Sequence, residues 1–557
     1  MELHPILEQL LDQRGLHGQD REVFLDPSLR RLGRAEDLPG IPEAAAFILP
    51  FIADRRPIVV FGDYDCDRIC ACTILVTALR RLGGRAEAFF PDRFDHGYGM
   101  TEASIAQMLA DHPDVALVVT VDNGICSRSE VAALKARGVA VVVTDHHIPP
   151  DDLPESDALV NPRVASAAGF DDICGAGVAF LLANALARLA AARGVHDGVK
   201  FGAPLLVLAG LATVSDLMPL VGQNRILVKN ALAHFAAAPV GLRELYSRNA
   251  RRAGAPRSRD FGFQIGPRIN AAGRIANARQ AYELLMESDR ERARNLAQGM
   301  DALNLERKAI ETGLEQAARA VAVRGPDSVV CAVAPASASS GPDRRTGVMG
   351  IVAARLVEEY GVPVAVLVGV NGSARAPDGY NVHDMLQICS EEALVRFGGH
   401  AAAGGFTVRE GRMDDFRRLF AAASSAQRAV GGCASGRSVF LEPDVWLKSA
   451  DVTLELARAV AQLEPFGEGN PEPVFGVRAL KLADVRLLGR EGAHLKFEFA
   501  ESLPSAVWWG HGGDVESFRT NGGQIDAVFR IAVSDYGGEE HPELTIASVR
   551  PAEVVPA

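Results

Sequence analysis

This chain of 557 residues has no long apolar run, no dense set of cysteines and no excess of positive charge, and each absence closes off a class of function. The longest apolar stretch, Pro204 to Val221, is interrupted by Gly210 and Asp216 and is too short and too polar to span a bilayer. Eight cysteines scattered over this length do not make a disulfide framework, which points to a reducing compartment. The opening MELHPILEQLLDQRG carries acids early and no run of the signal-peptide kind, so a cytoplasmic protein with no membrane partner is expected. A formal net charge of −12 argues against a nucleic-acid partner, because that affinity comes mainly from Lys and Arg meeting phosphates. The veto is weak, since acids gathered around metal ions would supply several of those negatives. Cations are also concentrated locally, in RRLGR (30–34) and RRAGAPRSR (251–259), although such runs more often mark solvated loops. With 48% hydrophobic and 23% charged content the chain is globular, and its length predicts three or four domains.

From about residue 57 to 235, short β-branched runs alternate with amphipathic stretches: PIVVFG, a helical stretch through Leu82, DVALVVTVD, another through Arg137, VAVVVTD, and ALVNP. That alternation predicts βαβ units and an α/β fold with a mainly parallel sheet, preceded by a helical segment over residues 1–56. Residues 278–323, with few breakers and much Ala, Leu, Glu and Arg, predict one long helix or two stacked ones joining this lobe to another. A second α/β lobe is expected over 324–430, with DSVVCAVAP, GIVAARLVEEYG, VPVAVLVGV and the glycine-rich FGGHAAAGGF. The stretch ASSAQRAVGGCASGRS (423–438) reads as a linker, and residues 438–557, with short alternating runs such as HLKFEFA, predict a small barrel or sandwich.

In parallel sheets ligands sit at the carboxyl ends of the strands, and that is where the polar residues fall. Asp63, Asp65 and Asp67 follow the first run, Asp122 the second, and Asp145, His146 and His147 the third. If FGDYDCD stays in β-conformation, its three acids share one face and converge, and such close like charges must be neutralised by protons or metal. A solvated Asp-rich turn is the ordinary alternative. Asp216, inside the apolar ATVSDLMPL, also needs a partner to offset burial. Carboxylates with imidazole suit a pair of Mn²⁺ or Mg²⁺ ions better than a thiolate-loving metal. Two such ions, about 3.5–4 Å apart, stabilise charge developing on a phosphoryl group, so phosphoester hydrolysis is the reaction class this chemistry serves.

GDYDCD, VDNG, TDHH and ATVSDLMPL, in that order, resemble the four motifs of the DHH phosphoesterases, and FGGHAAAGGF resembles the glycine-rich motif of the associated DHHA1 domain. Within that superfamily PDRFDHGYGM, CGAGVAF, IGPRINAAGRI and LEPFGEGNPEPVF resemble segments of the RecJ type, over nearly the whole chain. The resemblance implies a DHH domain over 57–277, a DHHA1 domain over 324–430 and an OB-like domain from about 438, tracking single-stranded DNA with a basic groove and stacking side chains. It implies a metal-dependent 5′→3′ exonuclease that degrades single-stranded DNA to 5′-mononucleotides in recombination and repair, with a helicase and a single-strand-binding protein as partners. Two alternatives remain: a DHH phosphodiesterase acting on short RNA or cyclic dinucleotides, and a weakened nucleic-acid-binding scaffold. Carried over by residue, Asp65, Asp67, Asp122, His146 and Asp216 are implied metal ligands, with Asp63 contributing, and His147 contacts the scissile phosphate. Ser373 and Arg375, with Arg268 or Arg274, are implied to hold the terminal 5′-phosphate and nearby backbone, and His400 to line the cleft between lobes.

Two departures stand out. The family's first motif continues with a glycine after the third acid, where this chain has Arg68. Either Arg68 points outward or touches substrate phosphate, or it occupies a metal position as a built-in cation. In DRRTGVMGIVAARL (343–356), Arg344 and Arg345 replace the family's Trp-His, which alters a nucleic-acid contact. Among lesser candidates, Cys66, Cys70 and Cys72 lack the second pair a zinc or iron–sulfur site needs and read as buried thiols. GAGVAF (175–180) reads as a tight backbone turn rather than a phosphate-binding loop, and His494 as an ordinary histidine.

Overall fold

The computed structural model describes all residues except 1–2, 95–98, 166–168, 198, 251–253, 337–341, 432–439, 490, 521–523, 536–537 and 553–557. The middle of PDRFDHGYGM, the start of RRAGAPRSR and the end of the expected linker therefore lie outside the described residues.

Five strands, β1 (Pro57–Phe61), β2 (Arg85–Phe89), β3 (Leu117–Val121), β4 (Ala140–Thr144) and β5 (Ala158–Val160), form the first sheet. They pair in the order β2-β1-β3-β4-β5, every neighbour parallel. The central runs are continuously apolar because both faces are covered: Ile58 and Val60 belong to one core, Val59 and Phe61 to another. The helices Cys66–Arg81, Gly175–Ala192 and Ala203–Ser215 pack on one face. Gly175–Ala192 is long and apolar enough to cross a membrane by composition, but it is mostly buried in this core. Because β2 and β3 flank β1, the strand order reverses there, and the crevice at the β1 and β3 carboxyl ends is the position where such sheets hold ligands.

Two helices leave this lobe, Arg279–Met286 and then the 31-residue Arg290–Ala320, whose start is fixed by Asp289 accepting from the Arg292 amide. About two-thirds of the way along, the fully buried Glu311 pairs with the buried Arg307 and with Arg355 of the helix Met349–Tyr360, the latter at 3.1 Å. Removing one partner of a buried pair strands the other charge. Glu311→Gln should therefore lower stability by about 3 kcal/mol, read as a lower urea midpoint at unchanged slope; a midpoint equal to wild type would show that the pair contributes nothing.

The second sheet holds β6 (Ala322–Arg324), β7 (Val329–Val333), β8 (Val364–Val368), β9 (Asn371–Arg375), β10 (Leu394–Gly399) and β11 (Ala403–Val408). Its order is β10-β11-β9-β8-β7-β6, with only the β7–β8 pair parallel. FGGHAAAGGF is the β10–β11 hairpin, with His400 at its tip. The linker expected from residue 423 is instead the end of the helix Met413–Gly431. Phe416, Phe420 and Ala423 anchor that helix in the core, and Ser424 donates to the Asp327 carbonyl, so tertiary packing overrides the Ser/Gly composition.

The last strands are β12 (Val445–Leu447), β13 (Phe475–Leu488), β14 (His494–Phe499), β15 (Ala506–Trp508), β16 (Gln524–Ser534) and β17 (His541–Pro551). Pairing runs β12-β13-β14-β15-β17-β16, and an added β13–β16 ladder closes five of them into a barrel. Leu7, Leu10 and Leu11 of the helix Pro5–Gln13 fill the same core, so the beginning of the chain packs on the barrel. The barrel is stapled to the first lobe by the buried Arg225, which donates to the carbonyls of Phe24 (2.8 Å), Leu463 (2.9 Å) and Glu464 (3.0 Å).

Candidate active site

The three acids of FGDYDCD do not share a strand face. Strand β1 ends at Phe61 and the next helix begins at Cys66, so Asp63 sits in the connection, Asp65 is the helix N-cap and Asp67 lies in the first turn. Asp65 accepts from the Arg68 amide (3.0 Å), the bond that ends the strand and starts the helix. Asp63 accepts from the Gly99 amide (3.0 Å). Asp67 accepts from the amides of Gly175 and Ala176, both at 2.7 Å, at the start of the helix Gly175–Ala192. GAGVAF is thus a helix start whose free amides hold a carboxylate, not a turn.

Asp122 follows β3 with φ 55°, a left-handed conformation that directs its carboxylate across the strand ends. A Cβ on Gly175 would lie 2.3 Å from the Asp122 Cβ, so glycine is what lets the helix approach this closely. His146 Nε2 lies 2.9 Å from Asp122, 3.5 Å from Asp216 and 3.9 Å from Asp67. Asp216 is the C-cap residue of the helix Ala203–Ser215, and His146 is the partner that an acid in this apolar run requires. Asp145, at the end of β4, accepts from the amides of His146 (2.8 Å) and His147 (3.2 Å) and lies 2.7 Å from His147 Nδ1. It therefore orients the His147 imidazole and fixes the backbone that carries His146.

Burial dominates the electrostatics. It raises the Asp63 and Asp67 carboxyls to about 7 and Asp216 well above the ordinary range, with Asp122 adding to the effect on Asp67. Against the same burial, Arg68 and then His146 hold Asp122 down to about 2. Asp122, with Asp67 and Asp216, lifts His146 to about 10 although burial opposes it. Acids that retain protons near neutrality are relieved by a bound cation, and the geometry offers one a place. Ligand atoms of Asp67, His146 and Asp216 all lie within 4.8 Å of one another, as do those of Asp122, His146 and His147. The buried Asp63 Oδ1 and His146 Nδ1 have no hydrogen-bond partner among the described residues. Oxygen donors with imidazole fit Mn²⁺ or Mg²⁺.

Arg68 neither points outward nor reaches into solvent. Its side chain is 4% exposed and pairs with Asp65, while its Nε lies 3.2 Å from Asp122 Oδ2.

The second lobe meets this centre through His400, whose ring lies 6.4 Å from that of His147 at an interplanar angle of 13°. Next to the hairpin, on β9, Arg375 donates to Ser373 Oγ (3.0 Å) and has no ion pair among the described residues, although burial pulls its pKa down. Gly350 at the start of the helix Met349–Tyr360 packs directly on it, where a Cβ would lie 2.5 Å from Arg375 Nη2. Arg274 donates to the Gly347 carbonyl (3.2 Å) and likewise has no ion pair among the described residues. Arg268 differs, because its guanidinium is taken up by Asp301 (2.8 Å), the Gln264 carbonyl (2.6 Å) and Asn249. Of the two alternative arginines the geometry leaves Arg274 for a ligand. Arg344 and Arg345 are committed to Glu306 and Asp343, both at 2.6 Å.

Sequence reasoning missed three contributors. Asn270 accepts from the Cys66 amide (2.6 Å), tying the helix Gly266–Ile275 to the acid-bearing turn. Arg93 lies 4.3 Å over the Tyr64 ring. The Gly175 and Ala176 amides hold Asp67. The signal for Asn270 and Arg93 was their place in IGPRINAAGRI and PDRFDHGYGM; the amides leave none in side-chain chemistry. In the barrel, His494 accepts from the Gly510 amide (2.9 Å) and packs edge-on to Trp509, which is 54% exposed.

Family profiles match three stretches: "DHH family, N-terminal domain" over residues 57–209, "DHHA1 domain" over 327–426 and "RecJ OB domain" over 443–548. The single-stranded-DNA-specific exonuclease RecJ of Dickeya dadantii is 34% identical, the match covering 99% of this chain and 96% of that one. RecJ of Thermus thermophilus is also 34% identical, over 86% of this chain and 67% of its own length. The crystal structure of RecJ in complex with Mn²⁺ from Thermus thermophilus superposes with a TM-score of 0.80 at 30% identity, covering 99% of this chain and 77% of that one. Its Mg²⁺ complex gives a TM-score of 0.76 at 27% identity, covering 100% of this chain and 76% of that one.

Proposed function

The chain belongs to the RecJ family of single-stranded-DNA-specific exonucleases, and we propose that it removes 5′-mononucleotides from single-stranded DNA, working 5′→3′ with Mn²⁺ or Mg²⁺. The observation that carries the reading is the convergence of Asp67, Asp122, His146 and Asp216, from four separate elements, into one pocket at the switch point of the sheet. Asp67, His146 and Asp216 would hold the cation, with Asp63, Asp65 and Asp122 completing the acidic wall. When bound, the cation supplies Lewis-acid stabilisation of the phosphoryl charge and activates water.

The chain's own residues do the rest. His147, fixed at Nδ1 by Asp145 and raised in pKa by it, keeps its other nitrogen for the scissile phosphate. His400 closes the other side of the cleft. Arg375 is a largely buried cation with no anion of its own among the described residues, an arrangement that a terminal phosphate completes; Ser373 adds a hydroxyl and Arg274 a second guanidinium. Anchoring the end of the strand sets polarity, and a cleft between two lobes selects a single strand by width. On this reading a helicase that opens duplex and a single-strand-binding protein would be its partners, in cytoplasmic recombination and repair.

Mn²⁺-dependent release of mononucleotides from a 5′-labelled single strand tests the reading; tight binding without release would defeat it. Arg375→Ala should raise KM for 5′-phosphorylated strands about 10- to 100-fold, the loss of charge-assisted hydrogen bonds. Its kcat should stay nearly unchanged, and the preference over a 5′-hydroxyl strand should vanish. An intact preference would remove Arg375 from the phosphate pocket.

A further inference from the structure

We propose that Arg68 is a built-in cation occupying one of the two ion positions of this centre, so that the protein carries a single divalent ion, on Asp67, His146 and Asp216. The inference rests on the reading of the centre as metal-binding and adds how many ions it takes. Arg68 stands one residue after Asp67, on the first turn of the helix Cys66–Arg81, so its side chain starts inside the acidic cluster. It does not leave. The guanidinium spans the carboxylates of Asp65 and Asp122, with Nε 3.2 Å from Asp122 Oδ2 and 3.0 Å from the Asp122 carbonyl. Asp65 is the cap of this helix, and Asp122 belongs with His146 and His147 to the second group whose ligand atoms lie within 4.8 Å of one another, so the guanidinium stands on a carboxylate that a second ion would need.

Three features favour substitution over coexistence. First, the side chain is almost fully buried, which removes the option of a solvated arginine next to two ions. Second, a guanidinium has donors only, and together with the Arg68 amide it takes up both oxygens of Asp65 while its Nε stands on Asp122 Oδ2. Third, a divalent ion placed between the same carboxylates would sit against a fixed like charge in a poorly solvated pocket, where repulsion is strong. The remaining group, Asp67, His146 and Asp216, keeps its ligand atoms within 4.8 Å of one another, with His146 Nε2 between the two acids. The structure therefore fits one ion there; the other group, Asp122, His146 and His147, shares His146 with it and has the Arg68 guanidinium on its carboxylate.

Full-length protein, stripped of metal, loaded with Mn²⁺ and desalted, should hold one Mn²⁺ per chain by elemental analysis. Its paramagnetic resonance should be the six-line spectrum of an isolated ion. Arg68→Gly should hold two and show the multiline spectrum of an exchange-coupled pair, whereas Arg68→Lys, which keeps the cation, should stay at one. Two ions or a coupled spectrum in the unaltered protein would overturn the inference while leaving the metal-dependent reading intact. No bound Mn²⁺ at all would overturn both. A folded Arg68→Gly protein that still holds one ion would also overturn it, and should that variant fail to fold, the spectrum of the unaltered protein decides alone.

Discussion

Asp122→Asn should lower kcat for mononucleotide release by about 100- to 1000-fold, the scale seen when a charge-stabilising group is removed from a preorganised site, while single-stranded DNA still binds within a fewfold of the unaltered affinity. The carboxylate touches everything that matters: His146 at 2.9 Å, His147 at 3.5 Å and Arg68 at 3.2 Å. In the proposed reading the strand is held by Arg375, Arg274 and the barrel, so fluorescence anisotropy on a labelled strand should scarcely change. Asparagine is a cleaner probe than alanine. Position 122 has φ 55°, which Asn tolerates and which costs Ala about 1–2 kcal/mol. Asp122→Ala also takes a carboxylate away from the buried Arg68, a loss of up to about 3–5 kcal/mol. Its inactivity would then mix unfolding with chemistry. An Asn variant that turns over at the unaltered rate would remove Asp122 from the active centre, and with it the account of His146 given above.

Much of this site was legible because its residues sit where one-dimensional patterns end. The runs before Asp63, Asp122 and Asp145 are nearly all apolar since their strands are covered on both faces, and the first charged residue after each marks a carboxyl end. Asp216 was visible as a charge without local justification, and the structure supplies the partner, His146, from another element. What escaped depended on partners far away in sequence. FGDYDCD looked like strand throughout because alternation extends past Phe61, yet Asp65 capping its own helix turned the chain at that point. The amides that hold Asp67 come from 108 and 109 residues later, and no local pattern says that a helix start will point at a carboxylate. Arg268 and Arg274 sit six positions apart on one segment, and only the neighbouring Asp301 shows that the first already has an anion of its own. The Ser/Gly/Ala stretch failed as a linker for the same reason, since Phe416 and Phe420 had already committed that helix to the core.

Gly175→Ala separates local preference from tertiary demand, and the two disagree in sign. Inside a helix the substitution should stabilise by about 0.5–1 kcal/mol, because alanine gives up less backbone freedom on folding. Here the new Cβ would stand 2.3 Å from the Asp122 Cβ and 3.0 Å from its Cα, atoms that cannot swing away. Overpacking of this kind costs about 1–3 kcal/mol, so the clash should win and the protein should be less stable overall. The functional loss should be larger than the stability loss. Relieving the contact means moving the helix start by a large fraction of an ångström, and that start carries the two amides that hold Asp67. A misplacement on that scale costs about 100-fold in rate. Gly299→Ala and Gly313→Ala in the long helix Arg290–Ala320 are the matched controls, since a Cβ at either position meets nothing within 4 Å. Each should raise the urea midpoint and leave kcat untouched. If Gly175→Ala behaved like the controls, stabilising with full activity, the close approach of that helix to Asp122 would not be a feature of the working enzyme.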